Sequence, residues 1–206
     1  MSLLATDGLH KAWSERMRKS NCDRCTLCEA RNKIVVSRGN PKATVLLIGE
    51  APGEEEDKLG KCFVGAAGRM LDTHLQFCGI KSNEDIFLVN TVMCRPPENR
   101  KPKKKEIEAC SEFLWKQIGF VRPRYIVLLG ASAFEAVLQP RKQVIISHFA
   151  GRFLNPVSFN PEMAKKIGDA RVYVCFHPSY ALHNPTVIPT ILDHWKKFFK
   201  EVARNE

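Results

Sequence analysis

The chain has 206 residues, of which 44% are hydrophobic, and its 32 Lys and Arg against 22 Asp and Glu give a formal net charge of +10. This composition is typical of a globular protein, and no apolar run approaches the roughly 18 residues that would predict a membrane-spanning helix. The N-terminal residues lack the basic start and apolar stretch of a secretory signal, so we expect an intracellular, cytoplasmic protein. The basic surplus favours a polyanionic partner such as nucleic acid.

Hydrophobic periodicity predicts strands that alternate with helices. The predicted strands cover residues 44–48, 85–92, 124–129 and 171–176, and one or two short strands are expected in the otherwise irregular segment 139–170. The predicted helices cover residues 8–20, 66–77, 104–120, 130–138 and 186–202. This alternation is typical of a parallel sheet with helices on both faces. Because no repeat or long linker interrupts it, we expect a single domain over residues 1–206.

The chain contains eight cysteines, and without a secretory signal they favour metal or cluster ligation over disulfides. Cys22, Cys25 and Cys28 form two overlapping C-x2-C pairs. A bacterial ferredoxin run would place a fourth Cys where this chain has Asn32. The remaining ligands must therefore come from elsewhere in the chain.

The segment from Thr44 to Gly68 begins with a buried strand and continues into a Gly- and Pro-rich turn. Ligands of open α/β sheets bind beyond the carboxyl ends of the strands. The turn therefore places the carboxylate of Glu50, free backbone amides and the ring of Phe63 where a pocket is expected. The alternative is an ordinary strand-to-helix loop in which the acidic residues 54–57 are solvated.

Polar side chains also follow two other predicted strands, where Asn90 and His177 lie near the strand ends. Convergence at one edge of a parallel sheet is what a single site requires. The Asn90 amide suits the polar edge of a base, and His177 can stabilise negative charge on a leaving group. With Phe63 to stack on an extruded base and a carboxylate to stabilise an oxocarbenium ion, the set suits a glycosylase that excises a pyrimidine.

A basic, proline-broken loop, RPPENRKPKKK, lies between Cys94 and Cys110. We expect its cations to contact nucleic-acid phosphates. The alternative is a solvated run of charge with no partner.

Four ordered motifs, GEAPGEEED, KCFVGAAGRML, NTVMCRPPENRKP and HPSYALHNP, resemble those of the family 4 (iron–sulfur) uracil-DNA glycosylases. The resemblance extends from about Cys22 to the last helix. It implies a three-layer α/β/α sandwich with a central, largely parallel four-stranded sheet. It also implies a monomer that hydrolyses the N-glycosidic bond of deoxyuridine in single- or double-stranded DNA, in base excision repair. The product would be an abasic site, with no lyase step.

The resemblance also implies roles for individual residues. Glu50 and the backbone of Ala51 would face the uracil and the attacking water, and Glu56 would stand beside C5 of the base and disfavour thymine. The implied uracil-binding residues are Glu50, Ala51, Phe63, Asn90 and His177, and the implied catalytic residues are Glu50, Glu56 and His177. Leu182 would be a wedge in the duplex. The implied DNA-binding residues are Arg95, Arg100, Lys101, Leu182 and His183.

The same resemblance implies a [4Fe–4S] cluster on Cys22, Cys25, Cys94 and Cys110. Cys28 remains an alternative ligand, because the pair Cys25/Cys28 has the same spacing as Cys22/Cys25. Four thiolates also suit a structural zinc ion.

The sequence leaves several alternatives open. Either Glu50 or Glu56 could position the water, Cys62 stands where the family usually has Pro, and His183 where it usually has Arg. The competing functions are an iron–sulfur DNA-binding module with weak or lost turnover, and a glycosylase for another deaminated base such as hypoxanthine or xanthine.

Overall fold

A computed structural model describes residues 3–205 of the chain, with side chains from residue 8 onward. Six strands in this range form one sheet in the order β1-β3-β2-β4-β6-β5. The strands are β1 (Arg38–Gly39), β2 (Val45–Gly49), β3 (Ile86–Asn90), β4 (Tyr125–Leu129), β5 (Arg152–Leu154) and β6 (Arg171–Cys175). The α-helices are α1 (Leu3–Arg18), α2 (Glu54–Leu59), α3 (Ala66–Phe77), α4 (Lys104–Val121), α5 (Gly130–Leu138), α6 (Pro161–Ile167), α7 (Pro178–His183) and α8 (Ile188–Arg204).

The four central strands, β3, β2, β4 and β6, are parallel, and this confirms the predicted core of the sheet. Their residues are almost all buried, as expected for strands that are covered on both faces. Two short antiparallel strands, β1 and β5, extend the sheet at its edges, so it has six strands and not four. Strand β5 lies within residues 139–170, where the sequence predicts one or two short strands, whereas β1 has two residues and is too short to leave a periodic signal.

Helices cover both faces of the sheet and give the predicted three layers. Alternate strand residues point to opposite faces, so Leu47 packs with α3 and α8 through Leu75 and Trp195. The neighbouring residue Leu46 lies in the other core cluster, with Leu114 of α4 and residues of α5. A third cluster joins α1 to the cysteine-containing loop and to the end of β3.

Three short helices lie in segments that the sequence predicts as loops. Helix α2 takes up the acidic residues after β2, because negative side chains in the first turn of a helix interact favourably with its dipole. Helix α6 begins at Pro161 after Asn160, whose side chain accepts hydrogen bonds from two backbone amides. Helix α7 begins at Pro178 directly after His177, so a helix N-terminus holds that histidine. No helix in the described range is both long and apolar enough to cross a bilayer.

Candidate active site

A cavity of about 540 Å³ lies beyond the carboxyl ends of β2, β3 and β6. Its lining includes Glu50, Phe63, Asn90 and His177, four side chains that come from separate segments of the chain. Parallel strands end at one edge of the sheet, and this brings the four groups together. Its other lining residues include Ala51, Glu56, Asn99, Arg100 and Ser179.

Gly49, the last residue of β2, allows the ring of Phe63 and the amide of Asn90 to lie close together. A Cβ atom at position 49 would lie 2.4 Å from Cζ of Phe63 and 2.6 Å from Oδ1 of Asn90. Strand pairing places Gly49 directly opposite Asn90. A larger residue than glycine at this position would therefore displace both groups.

Phe63 has a left-handed backbone conformation with φ of +53°, which is uncommon for a bulky residue. Its carbonyl oxygen accepts a hydrogen bond of 2.7 Å from Nη1 of Arg38, and the same guanidinium pairs with Asp72. A Cβ at position 68 would lie 2.0 Å from that carbonyl oxygen, so Gly68 lets α3 approach closely. These contacts hold a strained residue at the cavity. No local sequence signal marks Arg38 for this role.

Glu56 is buried in α2, and its carboxylate accepts hydrogen bonds from backbone amides. Oε1 accepts hydrogen bonds from the amides of Val64 at 2.8 Å and Gly65 at 2.7 Å. Oε2 accepts one from the amide of Gly53 at 3.1 Å. Glu56 therefore closes the loop of residues 53–65 that carries Phe63.

Glu50 is fixed by two hydroxyl groups from other elements. Ser132, in the first turn of α5, donates to Oε2 of Glu50 at 2.5 Å. Thr91, the residue after β3, donates its hydroxyl to the carbonyl oxygen of Glu50 at 2.5 Å. Neither residue was predicted from the sequence, although Thr91 lies at the end of β3 and Ser132 shortly after β4, and that position was the signal available for finding them.

His177 makes its hydrogen bonds through Nδ1. The backbone amide of Ser179, which can only donate, lies 3.3 Å from Nδ1, and the hydroxyl oxygen of Ser179 lies 2.7 Å from the same atom. Nδ1 is therefore an acceptor, and the neutral ring carries its proton on Nε2. Burial lowers the pKa of His177, and the nearby carboxylates of Glu50 and Glu56 partly oppose this shift. The imidazole is thus neutral at pH 7.

Asn90 is buried at the end of β3, and its Nδ2 donates to Sγ of Cys62 at 3.8 Å. Burial raises the pKa of Cys62 to about 12, so this sulfur is a neutral thiol. Cys62 thus provides a weak acceptor that favours one orientation of the Asn90 amide.

The predicted DNA-binding cations near the cavity are paired with other side chains. Both terminal nitrogens of Arg100 contact Glu106, at 2.9 and 2.7 Å, and Lys101 pairs with Glu135 at 3.0 Å. Arg95 donates to Oδ1 of Asn99 at 2.8 Å. Of these three cations, only Arg100 lines the cavity.

The other two predicted DNA-binding residues, Leu182 and His183, lie at the end of α7 and outside the cavity lining. The side chain of Leu182 is 38% exposed, which is high for a large aliphatic residue. Helix α7 follows His177 directly, so this exposed leucine lies on the element that begins at the cavity.

Cys22, Cys25, Cys94 and Cys110 line a second, small cavity between the N-terminal loop, the end of β3 and α4. Cys28 is not part of that lining. Arg31 joins two of these segments, because its Nη1 lies 2.6 Å from the carbonyl oxygen of Cys22 and 3.5 Å from Sγ of Cys94.

The four thiols are soft donors, and this donor set fits an iron–sulfur cluster. Burial raises the pKa of Cys94 to about 11 and that of Cys110 to about 12. The match is therefore one of donor type alone, because in the described part of the chain no group of three or more His, Cys, Asp or Glu side chains is arranged to hold a metal ion.

Comparison with known proteins gives consistent matches. A model of the uracil DNA glycosylase superfamily matches residues 36–203. The type-4 uracil-DNA glycosylase of Thermotoga maritima is 42% identical over 171 residues, which cover 83% of this chain and 82% of that protein. The type-4 enzyme of Pyrobaculum aerophilum is 36% identical over 81% of this chain and 82% of its own length. That of Saccharolobus solfataricus is 36% identical over 85% and 79%. The chain therefore belongs to the uracil-DNA glycosylase superfamily and, within it, to the type-4 uracil-DNA glycosylases.

Proposed function

We propose that this protein is a monofunctional DNA glycosylase that hydrolyses the N-glycosidic bond of deoxyuridine in DNA and leaves an abasic site. The observation that supports it most strongly is the shared cavity of Glu50, Phe63, Asn90 and His177. The names of its relatives, type-4 uracil-DNA glycosylases, point to the same activity.

Uracil would enter this cavity after rotation out of the DNA stack. The ring of Phe63 offers a stacking surface for the base. With Nδ2 of Asn90 directed to O4 and Oδ1 accepting from N3–H, the amide would pair with the polar edge of uracil. Cytosine has an amino donor in place of O4 and an acceptor at N3 in place of N3–H. The same amide would therefore place a donor against a donor and an acceptor against an acceptor, which disfavours cytosine.

The chemical step follows from the tautomer of His177. Its Nε2–H can donate to O2 of uracil and stabilise the negative charge that develops as the glycosidic bond breaks. Because the ring is neutral, it can donate this hydrogen bond and still keep its proton. The carboxylate of Glu50 would stabilise the positive sugar and orient the attacking water. Water is the nucleophile, so no covalent sugar–protein intermediate and no lyase step arise.

Glu50 is the better candidate for positioning the water than Glu56. All the hydrogen bonds that the structure gives the Glu56 carboxylate come from backbone amides, which engage both of its oxygens. The hydrogen bond from Ser132 to the Glu50 carboxylate engages Oε2, and among the described residues it leaves Oε1 for a ligand. We assign Glu56 to holding the loop that carries Phe63 beside the base.

The thiols of Cys22, Cys25, Cys94 and Cys110 would hold a [4Fe–4S] cluster. When bound, it would act as a structural cross-link between the N-terminal loop, the end of β3 and α4. Iron and acid-labile sulfide content of protein purified without oxygen tests this ligand set. Cys94→Ser should lose iron, whereas Cys28→Ser, the matched control, should keep it. Loss of iron in the Cys28 variant alone would overturn the assignment.

A base-release assay tests the proposed activity. A labelled oligonucleotide with one deoxyuridine is incubated with the protein and treated with hot alkali, and strand breaks report abasic sites. We expect cleavage by the parent protein and a loss of about tenfold or more in Asn90→Ala and in His177→Ala. His148→Ala, a change of an exposed histidine, serves as control. Binding of the oligonucleotide without any base release would instead indicate a DNA-binding module.

A further inference from the structure

Ser132 is buried, and its hydroxyl donates a hydrogen bond to the carboxylate of Glu50. The residue is 2% exposed and lies 82 positions from Glu50 in the chain. Strand β4 runs next to β2, with Leu128 opposite Ile48, so the first turn of α5 comes beside the residue that follows β2. The contact therefore arises from the topology of the sheet and not from local sequence.

Glu50 is held at two points by these contacts. The hydroxyl of Thr91 fixes its carbonyl oxygen, and the amide of Thr91 donates to the carbonyl of Gly49 at 3.0 Å. With the backbone fixed, the side chain can still rotate about its own bonds. The hydrogen bond from Ser132 to Oε2 selects one of these rotamers.

We propose that Ser132 is a positioning residue of the glycosylase reaction, which holds the Glu50 carboxylate so that Oε1 faces the attacking water and the sugar. This inference rests on the proposed function. Hydrogen bonds from a hydroxyl group to a carboxylate are among the stronger ones in proteins, and Ser132 donates such a bond to Oε2 of Glu50. Small errors in the placement of a reacting group can lower a rate about a hundredfold.

Removal of the hydroxyl should therefore lower turnover and leave DNA binding unchanged. In Ser132→Ala, we expect kcat for uracil release to fall about 10- to 100-fold, with KM changed less than about threefold. Ser132→Cys fills the same space with a much weaker donor, so it should show a similar loss. If Ser132 only filled space, the cysteine variant would be fully active.

Ser14→Ala is the matched control. Ser14 is also 2% exposed and also contacts a side chain, His10, at 3.2 Å, but it lies on α1. We expect its kcat to equal that of the parent protein. Urea unfolding of each variant then separates loss of turnover from loss of fold.

A double-mutant cycle with Glu50→Gln decides whether Ser132 acts through Glu50. If it does, adding Ser132→Ala to the Glu50→Gln variant should cause no further loss of kcat. Full additivity, full activity of Ser132→Ala, or full activity of Glu50→Gln would each overturn the inference. Absence of uracil release by the parent protein would instead refute the proposed function, so the two failures are distinguishable.

Discussion

Tyr125 and Tyr173 are buried tyrosines on the neighbouring strands β4 and β6, and only one of them has a partner for its hydroxyl. Both rings contact Phe153 and Phe198 in the same core cluster. The hydroxyl of Tyr173 donates to the carbonyl oxygen of His194 at 2.8 Å. The hydroxyl of Tyr125 is buried and has no hydrogen-bond partner within the described residues.

Replacement of each tyrosine by phenylalanine should therefore change the free energy of unfolding in opposite directions. A buried polar group without a partner costs about 1–3 kcal/mol, so Tyr125→Phe should stabilise the fold by about 1 kcal/mol or more. Tyr173→Phe loses the hydrogen bond to the His194 carbonyl, which should cost about 0.5–1.5 kcal/mol. For a chain of this size, about 1 kcal/mol corresponds to a shift in melting temperature of about 2–4 °C.

Urea unfolding at pH 7, followed by tryptophan fluorescence, gives both values under one condition. Each tyrosine is the control for the other, because both changes remove one oxygen atom from rings in the same environment. Destabilisation of similar size in both variants would refute the reasoning, since it would mean that the Tyr125 hydroxyl is satisfied in the folded protein.

Two further outcomes follow from the structure. Gly49→Ala should lower uracil release more than about a hundredfold, because its Cβ would lie 2.4 Å from the ring of Phe63. Urea unfolding of the variant, measured beside kcat, would show whether the loss of activity comes from a loss of stability alone. His74 is 2% exposed and burial lowers its pKa, so the unfolded state binds more protons and stability is lost as pH falls below 6.5. His74→Leu should weaken this loss by up to about 1.4 kcal/mol per pH unit, and identical pH profiles of unfolding for variant and parent would contradict it.

The central sheet could be predicted because its strands are runs of apolar residues that end at turn residues. Burial on both faces makes such runs almost continuously hydrophobic, and this is a local property that a single sequence shows. A short strand was predicted within residues 139–170, where β5 lies, but the bounds of β5 and the existence of β1 could not be predicted in this way. Their two or three residues carry no period, and their pairing depends on strands distant in the chain.

That Glu50, Asn90 and His177 line one cavity could also be predicted from the sequence. Each lies at or just after the end of a strand, and parallel strands bring their carboxyl ends to one edge. The residues that hold the groups at the cavity in place could not be predicted from the sequence. Ser132 and Arg38 reach their targets across 82 and 25 residues, and no local pattern encodes such a contact.

The two glutamates show most clearly where the sequence alone reaches its limit. By itself the sequence placed both in one acidic segment after a strand, and that was enough to predict where the cavity lies. Only the folded chain decided that backbone amides surround Glu56 while Glu50 keeps one oxygen for a ligand. The physical reason is that a hydrogen bond depends on where the donor lies in space, and packing of distant elements sets that position.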